Sequence, residues 1–394
     1  MELDPKSFVE AQVRNLRRKL GRERALIAVS GGVDSTTCAA LAYRAVGKNL
    51  ICALIDTGFM RLGEPERVRR LLSGPPLSLP VRVIEAEGAF MERLAGVEDA
   101  EEKRRRFRDE FYKAISEVAE REGCRFLIQG TIAPDWIETK GGIKTQHNVL
   151  AQIGVRTEKK YGFTLLEPLA NLYKDQVRAV ARFLGVPKEI SERQPFPGPG
   201  LLVRCVGEIK PEKLSELKKA TEVVEGKLAD RGFQQYFAAI LDGGPDGWGF
   251  EGASKLARAA LGLNEAEAKV FKNLATGVKG DERAYGGMVG VKVAANARRK
   301  VWEDFERLIL LQSSLISKFK GFTRVLYLIA DRDEGSYDVS VRAVTTRDYM
   351  TADVAKMGWE LAESIGLEIL SACPRVKGVY YDVTPKPPAT IEYE

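Results

Sequence analysis

Ser30-Gly31-Gly32-Val33-Asp34-Ser35 is the segment whose residue types and spacing most clearly could do chemistry. Adjacent glycines between hydroxyl residues let a backbone fold tightly enough to aim consecutive N–H groups at one point. The loop follows a short apolar run, Ala25 to Val29, and precedes a helical stretch, Thr36 to Val46. It would therefore lie at a helix N-terminus, whose positive potential favours phosphate groups. That arrangement suits pyrophosphate. It is not a Walker A loop, since no Gly-Lys-Ser/Thr follows, and G-x-G-x-x-G is missing. The plain alternative is a helix start capped by Asp34 or Ser35.

Other chemistries are restricted by what the chain lacks. His147 is the single histidine, so no His-rich metal site can be built and any Ser-His or Cys-His nucleophile must use it. The five cysteines, Cys38, Cys52, Cys124, Cys205 and Cys373, lack zinc-knuckle spacing and read as small buried hydrophobes. The work falls to carboxylates, Lys/Arg, hydroxyls and backbone amides. A net charge of +6 modestly favours anionic ligands and does not by itself point to nucleic acid.

The elements that must position the loop follow from periodicity. Asp4-Pro5, with Phe8, Val9, Val13, Leu16 and Leu20 ahead of Gly21, predicts a capped amphipathic helix. Strand-length apolar runs at Ala25 to Val29, Leu50 to Ile55, Val81 to Ile84 and Phe126 to Ile128 alternate with helical stretches, including Glu101 to Arg121. Alternation of that kind predicts a doubly wound parallel sheet with ligands at the strands' C-terminal ends. The charge run Glu101 to Arg108 reads as a solvated helix face. After Pro195 to Gly200 the character changes, which puts a boundary between domains 1–200 and 201–394. The second half reads as α+β with an antiparallel sheet. Its expected elements are alternation at Val339, Val341 and Ala343, a helix from about Ala352 to Ile365, a β-rich Val379 to Val383 and a long amphipathic helix from Arg298 to Lys320. Gly243 to Gly252 reads as a loop. With 394 residues, 44% of them apolar, two or three globular domains are expected. No apolar run approaches the ~20 residues of a membrane span, and the N-terminus offers no signal-peptide core, so a cytoplasmic protein is expected.

The loop hexapeptide is the signature of the N-type ATP pyrophosphatases, which cleave ATP between the α and β phosphates. Further motifs narrow the resemblance to the GMP synthetase family. These are Gln129-Gly-Thr-Ile-Ala-Pro-Asp135-Trp-Ile-Glu138, Ile143-Lys144-Thr-Gln-His147-Asn148-Val149, and Arg193-Gln-Pro-Phe-Pro-Gly-Pro-Gly200. Gly277-Val-Lys-Gly-Asp281-Glu-Arg283, Asp348-Tyr-Met-Thr351-Ala352-Asp353 and Lys386-Pro-Pro-Ala-Thr390-Ile391-Glu392-Tyr-Glu394 complete the set.

The resemblance implies adenylation of the 2-oxygen of xanthosine monophosphate (XMP) by Mg-ATP, with release of pyrophosphate. Ammonia then gives GMP and AMP. It implies that Ser30, Gly31, Gly32, Val33, Asp34 and Ser35 hold pyrophosphate, with Asp34 also a magnesium ligand, and that Leu54 and Ile55 flank adenine. Asp135, Glu138, Lys144, Thr145, His147 and Asn148 fall on what resembles the family's catalytic lid over ATP. Arg61, Lys386, Thr390, Ile391 and Glu392 resemble the XMP-binding set. Asp281 and Arg283 could equally be a surface ion pair. The second domain resembles a dimerisation module, so a homodimer is expected, with no nucleic acid and no membrane.

The chain departs from the pattern in its lid. Gln146 stands where the family has a first histidine, Leu150-Ala-Gln152 follows Val149, and only Thr139 to Gly142 separate Glu138 from Ile143. Two stretches, 242–274 and 290–337, match nothing in the family pattern and read as insertions. No glutaminase motif precedes the loop, so ammonia is expected from a separate glutaminase subunit or from free ammonium. Two rival readings stand beside this one: another N-type pyrophosphatase (NAD synthetase-like or tRNA-modifying), and a non-catalytic nucleotide-binding paralogue.

Overall fold

The computed structural model describes residues 3–133, 162–243, 247–280, 282–346 and 350–394. The chain forms two compact units, Met1–Arg93 with Arg105–Gly198, and Leu94–Arg104 with Pro199–Glu394.

In the first unit, α1 (Pro5–Leu20) begins where Asp4 accepts from the Lys6 and Ser7 amides and ends at Gly21, whose φ of 58° suits a residue without a side chain. Five parallel strands follow: β1 (Arg24–Ala28), β2 (Leu50–Asp56), β3 (Val81–Glu85), β4 (Cys124–Ile128) and β5 (Thr164–Leu166). Their order is β3-β2-β1-β4-β5, so the winding reverses between β1 and β4. The register pairs Ala25 with Leu50 on one side and with Phe126 on the other. Helices α2 (Val33–Val46), α3 (Glu64–Ser73), α4 (Glu87–Leu94), α5 (Ala100–Glu122), α6 (Lys174–Leu184) and α7 (Lys188–Ser191) connect and cover the strands. Ala25, Leu26 and Ile27 are all buried, as a strand covered on both faces requires. The apolar faces of α1, α2 and α6 close one core through Leu16, Leu41, Val177 and Val180.

The second unit holds α8 (Pro211–Leu228), β6 (Gln235–Asp242), α9 (Glu251–Leu261), β7 (Ala266–Lys279), β8 (Glu282–Val293), α10 (Ala295–Glu303) and α11 (Phe305–Lys318). They are followed by β9 (Phe322–Asp331), β10 (Tyr337–Thr345), β11 (Asp353–Val354), α12 (Trp359–Ala372) and β12 (Val376–Asp382). The sheet is mixed rather than antiparallel, because β10 runs parallel to β12 and β8 parallel to β9. The antiparallel pairs are β6–β10, β12–β9, β7–β8 and the short β10–β11.

Three expectations change here, and the two stretches read as insertions find their place in the fold. The helix expected from Ala352 begins at Trp359, because Ala352 exchanges backbone hydrogen bonds with Lys386 and the Ala355 amide bonds to Ala343. The single helix over Arg298 to Lys320 is two, broken at Asp304, whose side chain pairs with Arg307. The stretches 242–274 and 290–337 supply most of β7, the end of β8 and all of β9, and so are part of the sheet itself. Finally, the run Glu101 to Arg108 is not simply solvated. Lys103 is fully buried and donates to the Cys205 and Gly207 carbonyls, each at 2.8 Å.

Candidate active site

β1 delivers the chain to the loop at the β1/β4 reversal, where parallel sheets open a crevice beyond their C-terminal ends. Gly31 has φ of 74°, and a Cβ there would sit 2.6 Å from Val68 Cγ2, so glycine is required twice over. Gly32 is the N-cap of α2 and supplies no side-chain cap. Neither Asp34 nor Ser35 caps the helix, which removes the alternative of a merely capped start. Instead the serines tie the loop to itself. Ser35 Oγ accepts from the Ser30 amide at 3.2 Å, donates to the Gly32 carbonyl at 3.2 Å and lies 3.1 Å from Ser30 Oγ. The first turn of α2 thus meets the crevice with its helix-end potential uncancelled by a capping side chain.

Asp34 carries the local charge. Its Oδ2 accepts from Lys174 Nζ at 2.6 Å, Lys174 being the first residue of α6. Its Oδ1 is buried and has no hydrogen-bond partner among the described residues. An orphaned carboxylate oxygen beside a phosphate-type loop fits a magnesium ion, which takes one or two carboxylates and completes its shell with phosphate oxygens and water. Among the described residues no cluster of three or more His, Cys, Asp or Glu could hold a metal unaided.

Gly130, two residues past β4, backs the loop: a Cβ there would lie 2.9 Å from the Asp34 carbonyl carbon and 3.0 Å from the Ser35 amide nitrogen. Thr131 donates to Glu167, just past β5. Cys38, one turn beyond Asp34, is no nucleophile. Burial pushes its thiol well above 9.0, and the Asp34 and Glu167 carboxylates add to that. Leu54 and Ile55, near the C-terminal end of β2, are both buried, Leu54 within the core cluster.

Arg61 is held in the first unit by contacts to Phe196 and Glu64. Its guanidinium lies 3.9 Å above the Phe196 ring, its Nη1 is 3.3 Å from Glu64 Oε1, and its amide donates to Glu64 Oε2 at 3.0 Å. Arg193 donates to the same Glu64. Burial pushes the Glu64 carboxyl up, but the two guanidiniums outweigh it and hold the group below its ordinary 4.5. Asp135, Glu138, Lys144, Thr145, His147 and Asn148, with Gln146 and the short lid segment, lie outside the described residues, as does Asp281.

In the second unit, the segment from Lys386 to Glu394 is tied down residue by residue. Glu392 forms a two-point ion pair with Arg204, both contacts at 2.9 Å, and accepts from Gln235 at 3.0 Å. Thr390 Oγ1 lies 2.6 Å from Thr276 Oγ1, and half-buried Ile391 packs on the core around Phe237 and Tyr393. The Arg283 side chain is 25% exposed and meets Glu101 at 3.3 Å. Burial first, then the neighbouring Arg104 guanidinium, lowers its proton affinity. Arg104 keeps Nε and Nη2 buried without partners among the described residues.

Sequence reasoning missed Lys174, Glu167, Arg204, Gln235 and Arg104. Lys174 carries only a weak signal, a Lys opening a helix. Glu167, Arg204 and Gln235 are single polar residues whose partners lie far away in sequence, 188 positions in the Arg204–Glu392 case, while Arg104 lies inside the charge run read as solvated.

Comparison with known proteins gives two family matches, a PP-loop domain over residues 5–187 and a GMP synthase C terminal domain over residues 330–393. The chain is 48% identical over 392 residues to one of the subunits of the glutamine-hydrolyzing GMP synthase of Saccharolobus solfataricus, spanning 99% of this chain and 100% of that one. It is 46% identical to the corresponding chain of Sulfurisphaera tokodaii over the whole of both. With that of Methanopyrus kandleri it shares 40% identity over 99% of each. The stretches 242–274 and 290–337 therefore fall inside a match that runs end to end.

Proposed function

The chain belongs to the GMP synthase family, as one subunit of the glutamine-hydrolyzing enzyme, and from that premise we propose how its residues divide the work. It is an ATP-dependent ligase that aminates XMP to GMP. ATP adenylates the 2-oxygen of XMP with release of pyrophosphate, and ammonia then displaces AMP from the activated carbon. Activation is needed because an amide-like oxygen is a poor leaving group and AMP a good one.

The orphaned Asp34 oxygen beside the Ser30–Ser35 loop is the observation that carries this division. The loop's amides and Lys174 bind the departing pyrophosphate, concentrating positive potential where negative charge develops. Magnesium, when bound, neutralises phosphate charge, and Asp34 Oδ1 is the atom that would hold it. Leu54 and Ile55 offer adenine an apolar edge. Asp135, Glu138, Lys144, Thr145, His147 and Asn148 are assigned to the lid that excludes water from the adenylate. Arg61, Lys386, Thr390, Ile391 and Glu392 are the residues assigned to XMP. The Arg104–Arg283 pair, with donors to spare, supports phosphate binding in the second unit.

Ammonia comes from a separate glutaminase subunit, a reading supported by the relatives' naming as one part of a glutamine-hydrolyzing enzyme. A homodimer formed through the second unit and a cytoplasmic location complete the reading; no helix among the described residues is long and apolar enough to cross a membrane. Incubation with ATP, Mg²⁺, XMP and ammonium should release pyrophosphate only when XMP is present, with equimolar GMP. Absence of XMP-dependent pyrophosphate would overturn the reading, as hydrolysis of glutamine by this chain alone would overturn the separate ammonia source.

A further inference from the structure

Beneath the Thr390–Glu392 segment lies a charge group that the reaction does not use directly. Arg324, Arg342 and Asp382 are each fully buried, and both arginines reach the same Asp382 oxygen at 2.7 Å. One carboxylate cannot balance two guanidiniums. The remaining charge is met by backbone carbonyls. Arg324 Nη2 donates to the carbonyls of Thr390 at 3.0 Å and Glu392 at 2.5 Å. Arg342 donates to the carbonyls of Thr384 at 2.9 Å and Thr390 at 3.0 Å. Tyr393 closes the group, donating to Asp382 at 2.9 Å while its ring lies 4.0 Å under the Arg324 guanidinium.

The energetics of this arrangement are asymmetric. An ion pair buried this deeply adds little stability by itself, because desolvation offsets the attraction. Losing one partner, or pulling the segment's carbonyls away, leaves an uncompensated buried charge and is costly. The two arginines therefore constrain the backbone of Thr390 to Glu392 far more tightly than ordinary packing would. Ile391 and Glu392, between the clamped carbonyls, are held in place before any ligand arrives.

We propose that Arg324, Arg342 and Asp382 are positioning residues for XMP, clamping the Thr390–Glu392 backbone through its carbonyls so that the nucleotide meets a preformed segment. This rests on the assignment of that segment to XMP and on nothing in the ATP loop. Arg342→Met should raise the KM for XMP at least ~10-fold and leave the KM for ATP within ~2-fold, since only one substrate's site is loosened. It should also speed amide hydrogen exchange in residues 389–394.

A general fold defect is separated by Asp382→Asn combined with Arg342→Met. That pair of changes keeps the buried net charge unchanged and so recovers thermal stability, while Thr390 still lacks its Arg342 donor. A KM for XMP that stays high in the recovered double variant supports the clamp. A KM that returns to normal along with Tm overturns it. Should either variant fail to fold, Tyr393→Phe, which removes the hydroxyl's hydrogen bonds to Asp382 and Ser340 and no charge, tests the same point: faster exchange in 389–394 with a raised KM for XMP alone supports the clamp, and no change in either overturns it. Ile391→Ala is the control for the underlying assignment. An unchanged KM for XMP there removes the assignment and the clamp together, whereas a raised value beside an unaffected clamp variant removes the clamp alone.

Discussion

Gly130→Ala tests the pyrophosphate loop without touching a charged or hydrogen-bonding group. The added methyl would sit 2.9 Å from the Asp34 carbonyl carbon and 3.0 Å from the Ser35 amide nitrogen, where ordinary contact begins at 3.4 Å. Both obstacles are backbone, so no side-chain rotation can relieve them. Either the loop or the end of β4 must move by about half an ångström. Overpacking of that kind costs ~1–3 kcal/mol of stability. The larger effect is on catalysis, because the moved atoms are the amides assigned to the departing pyrophosphate. A displacement approaching 1 Å can cost ~100-fold in rate, so a loss of ~10- to 100-fold in XMP-dependent pyrophosphate release is expected, read mainly in kcat. Binding of XMP, measured calorimetrically without ATP, should be unchanged. A folded Gly130→Ala protein that releases pyrophosphate at the wild-type rate would refute the loop's assigned role.

Gly226→Ala is the matched control: Gly226 is exposed within α8, a Cβ there meets nothing within 4 Å, and stability should rise by ~0.5–1 kcal/mol with activity unchanged, as a thermal melt would record. Glu64 gives a pH dependence. Its carboxyl is held below 4.5 in the fold, so its contribution is complete above about pH 4.5 and is lost as pH falls through the lower folded value; acid denaturation should show this, and Glu64→Gln should flatten that part of the curve. The cysteine thiols are buried, with burial pushing Cys52 and Cys373 up to about 12 and Cys124 to about 11. At pH 8 the native protein should resist iodoacetamide until denatured, and rapid alkylation of Cys38 in mass spectra would contradict the packing around the loop.

The first unit was legible in the sequence because its signals are local. Asp4, Pro5 and Gly21 bound α1 through contacts within a few residues, and the run at Leu50 is apolar because both sheet faces are covered there. In the second unit the same logic misled. Alternation at Val339, Val341 and Ala343 reads as a strand with one wet face, yet Asp338, Ser340 and Arg342 on the other face are buried as well. Their polarity belongs to an interior network whose partners, Lys269, Tyr393 and Asp382, are tens of residues away.

By itself the sequence determined the phosphate loop and its family, because glycines and hydroxyls at fixed spacing act on their immediate neighbours. It also determined that neither a histidine cluster nor a cysteine pair does the chemistry. Only the tertiary structure decided which polar residues are free for a ligand and which are committed inside the fold. Asp34 keeps one oxygen unpartnered, while Asp382 is already bound to Arg324, Arg342 and Tyr393. That distinction is one of distance and burial in three dimensions, and spacing along the chain does not encode it.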